Sequence, residues 1–375
     1  MTEKGTRRQA IIEIWQAAID AVSGRQAVLN ALDADPAFKP DLIMAVGKAA
    51  SGMCVGALER FPGCDALVVT KYDHADQSLR ERASVEVIES GHPIPDQNSL
   101  LAGRTLLSRM RSMPAGSRVL LLVSGGASAL AEALPEDMTL ADLQAVTDDM
   151  IAGGKTIAEI NSRRKQASLI KDGKLVEAFG GAELRVYAIS DVEGDSISTV
   201  GSGIGDCYRA TADAHSSIIA SNRIAREQAA SKAHELGFSV CLNEESLYGD
   251  VFDLALVIGE RLRLANPGIY IWGGEPTVVL PDNPGRGGRN QSLALAASEW
   301  FSGRDNVLLL VAGTDGTDGP TTAAGGLVDG KTWHEDALQF LQNADAGRYL
   351  EQHDSLFETG PTNTNVMDLV IAIVS

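Results

Sequence analysis

Two rhythms of apolar residues run along this chain. Residues near 8–32 place Ala, Ile, Leu and Val at helical spacing, which predicts helix. Short apolar runs follow: LIMAV after Asp41, ALVVT at 66–70, the alternating ASVEVIES at 83–90 and VLLLV at Val119–Val123. Each predicts a strand, and the first runs into a turn and a helix start. Leu100–Met110 and Thr139–Ile160 return to the helical period. KLVEAFGGAELRVYAISDVEGD then predicts a helix end, a strand and an acidic loop, and IIASNRIAREQAASKAHELGFSVCL predicts strand, helix, strand. Strands alternating with amphipathic helices predict an α/β fold built on a mainly parallel sheet. In such sheets ligands sit outside the carboxyl ends of the strands.

A second block begins near residue 250. VFDLALVIGERL and LALAASEWF read as helices, IYIWGGEPTVVL as a strand pair broken at Gly-Gly, and NVLLLVAGTDGTDGPTTAAGG as a strand entering an Asp-Gly loop. The closing GPTNTNVMDLVIAIVS reads as a loop and then an apolar stretch. At 375 residues two domains are expected, here 1–245 and 246–375, with 360–375 allowed to pack back on the first.

Charge narrows the partners. With 32 basic and 50 acidic residues the net charge is −18, a field that repels nucleic acid and anionic membranes. Cationic residues inside glycine-rich loops are therefore informative. The four cysteines form no C-x-x-C pair and fit no zinc spacing. No apolar run reaches the length of a membrane span, and the polar N-terminus lacks a signal-peptide core. A cytoplasmic protein is expected. A homodimer is allowed by the sequence and not required by it.

The candidate chemistry lies in loops. SGGASAL places Ser124, Gly125, Gly126 and Ser128 after a buried strand, where backbone N–H groups and a helix start make an anion site. It matches neither Walker A nor G-x-G-x-x-G, and a plain strand–helix turn would read the same way. GKAASGM sets Lys48 at a helix start, an unfavourable place for a cation unless a carboxylate or phosphate answers it. GRGGRNQ carries Arg286, Arg289 and Asn290, with two guanidinium forks suited to carboxylate or phosphate. INSRRKQAS adds Asn161, Arg164 and Lys165, as a site or as a surface patch. SDVEGD places Asp191 and Asp195 after a strand, and AGTDGTDGP does the same with Asp315 and Asp318. Such carboxylates suit Mg²⁺ or a proton-accepting role, and Asp-Gly turns alone would also account for them. The six histidines form no metal-spaced pair; His92, in a Pro-rich loop after a strand, is the one placed to edge a site. Phosphate cradles, basic forks and carboxylates without a covalent nucleophile set fit phosphoryl transfer, which is mainly positioning and charge stabilisation.

VGKAASGM, SGGASAL, EINSRRKQAS, ISDVEGD, GGEPTV, GRGGRNQ and AGTDGTDGPTTAAGG occur in this order and spacing. Together they resemble the class II glycerate 2-kinases, whose C-terminal part is the MOFRL domain. Some relatives carry the older name hydroxypyruvate reductase. The resemblance implies a Rossmann-like first domain, a smaller α/β MOFRL-type second domain and an active site in the interdomain cleft. It implies transfer of the ATP γ-phosphate to the 2-hydroxyl of D-glycerate, with a divalent metal such as Mg²⁺. Carried over residue by residue, Lys48, Arg289, Asp191 and Asp315 become catalytic candidates. Ser124, Gly125, Gly126, Ser128, Asn161, Arg164, Lys165, Arg286 and Asn290 become substrate or phosphate contacts, and Asp195 and Asp318 metal ligands. The family pattern N-x-V-R-K-H-x-S is altered here by Arg163 and Gln166, and A-S-G-P-T becomes GSGIGD at Gly201–Asp206. These departures bear on the exact hydroxy acid more than on the reaction. An NAD(P)H-dependent hydroxypyruvate reductase and a non-catalytic sugar-acid sensor are the competing readings; against the first stands the absence of G-x-G-x-x-G.

Overall fold

The computed structural model describes residues 3–155 and 157–375. The chain forms two compact units: Ser23–Ser221, and the segment up to Val22 together with Asn222–Ser375. This division departs from the expected 245/246 boundary. The helix Asn222–Glu235 and the strand Val240–Asp250 belong to the second unit because they pack on and pair within its sheet.

The Ser23–Ser221 unit holds six parallel strands: β1 Leu42–Val46, β2 Asp65–Lys71, β3 Val85–Ser90, β4 Arg118–Val123, β5 Glu183–Ile189 and β6 Asp213–Ala220. Their order is β3-β2-β1-β4-β5-β6, that of doubly wound Rossmann-like sheets. β1 is buried at every position, as a parallel strand covered on both faces must be. Met44, Leu121 and Val186 pack with Leu106 and Met110 of the helix Gln97–Ser112. That helix starts in a reciprocal cap, Asp96 accepting the Ser99 N–H while the Ser99 hydroxyl accepts the Asp96 N–H.

The second unit contains β7 Val240–Asp250, β8 Gly268–Thr277, β9 Val307–Gly313, β10 Gly325–Asp329, β11 Leu356–Phe357 and β12 Asp368–Val374, in the order β11-β10-β9-β12-β8-β7. Only the β7–β8 pairing is parallel, so this sheet is mixed. The expected Gly-Gly break is absent: Gly273 and Gly274 lie inside β8 and pair with Leu369 and Asp368. The last strand does not return to the first unit but sits in the middle of the second sheet, between β8 and β9. The helix Arg289–Ser298 is buried along almost its whole length, with Leu293 and Ala297 against Trp272, Leu309 and Val370. The N-terminal helix Glu3–Val22 belongs here too: Arg7 donates to the Ser375 hydroxyl at 2.7 Å, and Thr364 Oγ1 donates to the Val22 carbonyl at 2.6 Å.

Two long helical readings are each divided. Residues 8–32 split at Ser23, whose side chain caps the helix Gly24–Ala34. Residues 139–160 split into Leu140–Ala152 and Ile157–Ala167, with Gly153 and Gly154 ending the first. All four cysteines are free thiols, and burial pushes the Cys54 thiol up to about 12. Among the described residues no helix is long and apolar enough to cross a membrane.

Ile371, fully buried in the central β12, tests the placement of the last strand. Ile371→Ala is expected to lower stability by about 2–5 kcal/mol in urea unfolding. A loss well under about 1 kcal/mol would mean that β12 is not a core strand.

Candidate active site

Polar residues begin where three parallel strands end. β1, β4 and β5 stay buried to Val46, Val123 and Ile189. The pairing sets Val46 level with Val123, and Val123 level with Ala188. Lys48, the Ser124–Gly126 loop and Asp191 therefore leave the sheet side by side. The chain turns away from β1 and β4 in opposite directions, which opens the switch point where doubly wound sheets bind ligands.

Close packing fixes the loops. Gly47 adopts φ +131°, and a Cβ there would strike the Ser124 hydroxyl. The Lys48 N–H donates to the Gly125 carbonyl at 2.8 Å, and the Ala49 N–H to the buried Ser124 Oγ at 3.0 Å. Ser124 thus stitches the two exit loops together. The Asp191 carboxylate fills the space that a Cβ on Gly125 would need. At Gly126, with φ +83°, a Cβ would lie 3.0 Å from Lys48 Cγ and 3.1 Å from His92 Cδ2. His92 therefore joins Lys48, the glycines and Asp191, as the edge position its loop suggested. Lost hydration pushes its imidazole pKa down, with Lys48 and Lys71 adding to the shift. The helix after the glycines is one turn, Ala127–Leu130. The expected helix dipole is accordingly small, and the positive character of this corner rests on Lys48 and the loop backbone.

Ser128 accepts a hydrogen bond from Ser202 at 2.9 Å. Asp195 shares the loop of Asp191, half-buried in the turn Glu193–Asp195. Asn161, Arg164 and Lys165 lie on the helix Ile157–Ala167, where Lys165 Nζ donates to the Ser198 carbonyl at 2.7 Å. Arg163 and Gln166 are exposed on the same helix. Sequence reasoning missed a buried pair close by: Lys171 and Glu132, both fully buried, meet at 2.5 Å, and the Ser168 hydroxyl also donates to Glu132. A lone glutamate within ASALAEALP was its only signal.

The second unit carries its own polar corner, a pocket of about 330 Å³ bordered by Arg289, Asn290, Asp315, Asp318, Met367 and Asp368. Because β12 runs antiparallel to β8 and β9, its first residue reaches the ends at which those strands finish, opposite Gly274 and Gly313. Asp368 is the residue most clearly missed from sequence. It accepts from Arg289 Nε at 2.7 Å and from Asn290 Nδ2 at 2.8 Å, while Arg289 also donates to Glu275 at 2.9 Å. Asp318, expected as a metal ligand, has another task. Its two oxygens accept the N–H groups of Asn290 and Gln291 at 3.0 and 2.8 Å, which caps the helix Arg289–Ser298. Asp315 holds its own turn through the Thr317 N–H and hydroxyl. Arg286 is not with Arg289: it pairs at the surface with Glu351 at 3.1 Å. Among the described residues no three His, Cys, Asp or Glu gather as a metal centre.

Residues 10–235 match the family described as "Domain of unknown function (DUF4147)", and residues 268–368 match the MOFRL family. The D-glycerate 2-kinase of Thermotoga maritima is 32% identical, covering all of both chains. The chain belongs to the glycerate 2-kinase family. The crystal structure of glycerate kinase from T. maritima superposes with a TM-score of 0.91 at 31% identity, covering 99% of this chain and all of that one. A putative hydroxypyruvate reductase of Agrobacterium vitis is 31% identical over 96% of this chain and 93% of its own length. The glycerate 2-kinase family thus includes proteins under both names.

Asp368 gives this family member a pH signature. Burial outweighs the Arg289 and Asn290 contacts and holds its pKa up at about 6, against an ordinary 3.8. Between these values the native state binds more protons than the unfolded one, so stability falls as pH rises. The stabilisation is complete below about 3.8 and lost through about 6, a span worth at most ~3 kcal/mol. Relative to Asp368→Asn, wild-type stability should fall between pH 4 and 6.5 in urea titrations; parallel curves would refute the shift.

Proposed function

We propose that this chain transfers the γ-phosphate of ATP to the 2-hydroxyl of D-glycerate, giving 2-phospho-D-glycerate and ADP. The observation that carries this reading is the meeting of Lys48, the Ser124–Gly126 loop and Asp191 at adjoining strand ends. It joins a cation, a backbone cradle and a carboxylate, the parts that phosphoryl transfer needs. A bond forms between the glycerate O2 and the γ-phosphorus, and the bond from that phosphorus to the β,γ-bridging oxygen breaks. The hydroxyl proton passes to Asp191 or Asp315, and ADP leaves. Lys48 and Arg289 balance the charge of the transferring phosphoryl group or the glycerate carboxylate. Asn161, Arg164, Lys165 and Asn290 are supporting contacts to those anions.

The donor set suits a magnesium-bound nucleotide. Mg²⁺ takes one or two carboxylates and keeps its water and phosphate ligands, so it does not need a built protein cage. Asp191, Asp195 or Asp315, whichever does not take the hydroxyl proton, offers hard oxygens for it; Asp318 is already engaged by the helix it caps. When bound, the metal would neutralise phosphate charge.

The relative named a putative hydroxypyruvate reductase keeps a second reading open. The strand order is that of dinucleotide-binding sheets. The β1 exit loop, however, reads GKAASG rather than G-x-G-x-x-G and sets Lys48 where a pyrophosphate would need bare backbone. NADH oxidation with hydroxypyruvate is expected to be absent.

The direct test is ADP release with D-glycerate and a panel of small hydroxy acids, followed by ³¹P NMR of the product. A 2-phosphate resonance supports the assignment, and no ADP release with any acid overturns it. Lys48→Ala is expected to keep its circular dichroism and lose about 10²–10³ in kcat/KM. Unchanged kinetics would remove Lys48 from the mechanism.

A further inference from the structure

We propose that Ser202 is a positioning residue that orients the Ser128 hydroxyl towards the anion bound by the glycine loop. The proposal rests on the reading of Ser124–Ser128 as an anion cradle. Ser202 Oγ donates to Ser128 Oγ at 2.9 Å. A serine hydroxyl has one proton to give and two lone pairs that accept. Filling one lone pair from Ser202 leaves the Ser128 proton pointing elsewhere, with the polarity that an anion requires. Ser124 is poorly placed for this task, because it is buried and its oxygen takes the Ala49 N–H. Ser128 is only half-buried.

The backbone supplies an independent reason to single out Ser202. Its φ of +59° lies between Gly201 at +56° and Gly203 at +74°, three left-handed residues in succession. Glycine adopts this conformation without strain and serine does not. The segment is held on several sides. The Ser202 N–H donates to the Thr199 carbonyl at 2.9 Å, and its own carbonyl accepts from Asp172 at 3.0 Å. The Gly203 carbonyl accepts from Gly173 at 2.7 Å. Gly201 packs so tightly on the cradle that a Cβ there would lie 2.9 Å from the Ala127 Cβ. Lys165 reaches the same loop through the Ser198 carbonyl. A side chain at a position shaped for glycine points to a use for that side chain, and its hydroxyl meets Ser128.

Ser202→Gly separates positioning from stability, since glycine suits the backbone. The melting temperature should stay level or rise, while kcat/KM for glycerate phosphorylation falls about tenfold. Ser128→Ala should fall by at least as much. The Ser128→Ala/Ser202→Gly double variant should be no worse than Ser128→Ala alone, because Ser202 acts through Ser128. An impaired Ser128→Ala beside a wild-type Ser202→Gly would overturn the positioning role and leave the cradle standing. Additive losses in the double variant would also overturn it. Wild-type kinetics in Ser128→Ala would remove the cradle reading itself, and the proposal with it.

Discussion

Glycine backbone pressed against carboxylates is the constraint that both loop sets share. The Asp191 carboxylate occupies the place of a Cβ on Gly125, and the Asp318 carboxylate that of a Cβ on Gly288. Asp345 stands the same way to Gly285, and its Oδ1 accepts the Arg286 N–H at 2.8 Å. A methyl group at any of these glycines would drive the acid away from the main chain. The clustered glycines are thus contact surfaces for carboxylates as well as turns. Each such contact sets an acid beside a loop rich in N–H donors, with Lys48 near one corner and Arg289 near the other.

The two sheets bring such loops together in different ways. In the parallel sheet, every strand ends at the same edge, so successive exits accumulate polar residues there. In the mixed sheet, the last strand runs backwards through the middle and delivers its first residue instead. Asp368 reaches Arg289 from 79 positions along the chain and is buried on arrival. An apolar strand that starts with an acid makes sense only with this topology in hand. Burial without Arg289 and Asn290 would leave that acid unpaired in the core.

What could be read in advance follows from the range of the signals. Apolar runs and their period are local, so β1, β2, β4 and β5 and the loops behind them were legible. Asp191 beside Gly125, and Lys48 beside Gly126, were suggested by the common position of loops after strands. Pairing is not local. Nothing near IYIWGGEPTVVL indicates that β12 fills out β8 across both glycines, and nothing near the N-terminus indicates that Arg7 bonds to Ser375. Residues whose partners lie far along the chain show the same limit. Asp318 looks like a free turn acid until the Asn290 and Gln291 N–H groups are found on it, and Arg286 looks like a twin of Arg289 until Glu351 takes it. Glu132 and Lys171 were invisible because a buried ion pair needs both partners to be recognised, and they lie 39 residues apart.

The proposed phosphoryl transfer depends on the glycine-only contact between Gly125 and Asp191. Gly125→Ala, compared with Gly116→Ala as a control, tests it most directly, because nothing lies within 4 Å of a Cβ at Gly116. With folding confirmed by circular dichroism, kcat/KM for D-glycerate phosphorylation should fall by about 10² or more in Gly125→Ala and stay at the wild-type value in Gly116→Ala. A folded Gly125→Ala enzyme with wild-type kinetics would show that the Gly125–Asp191 contact has no part in the reaction.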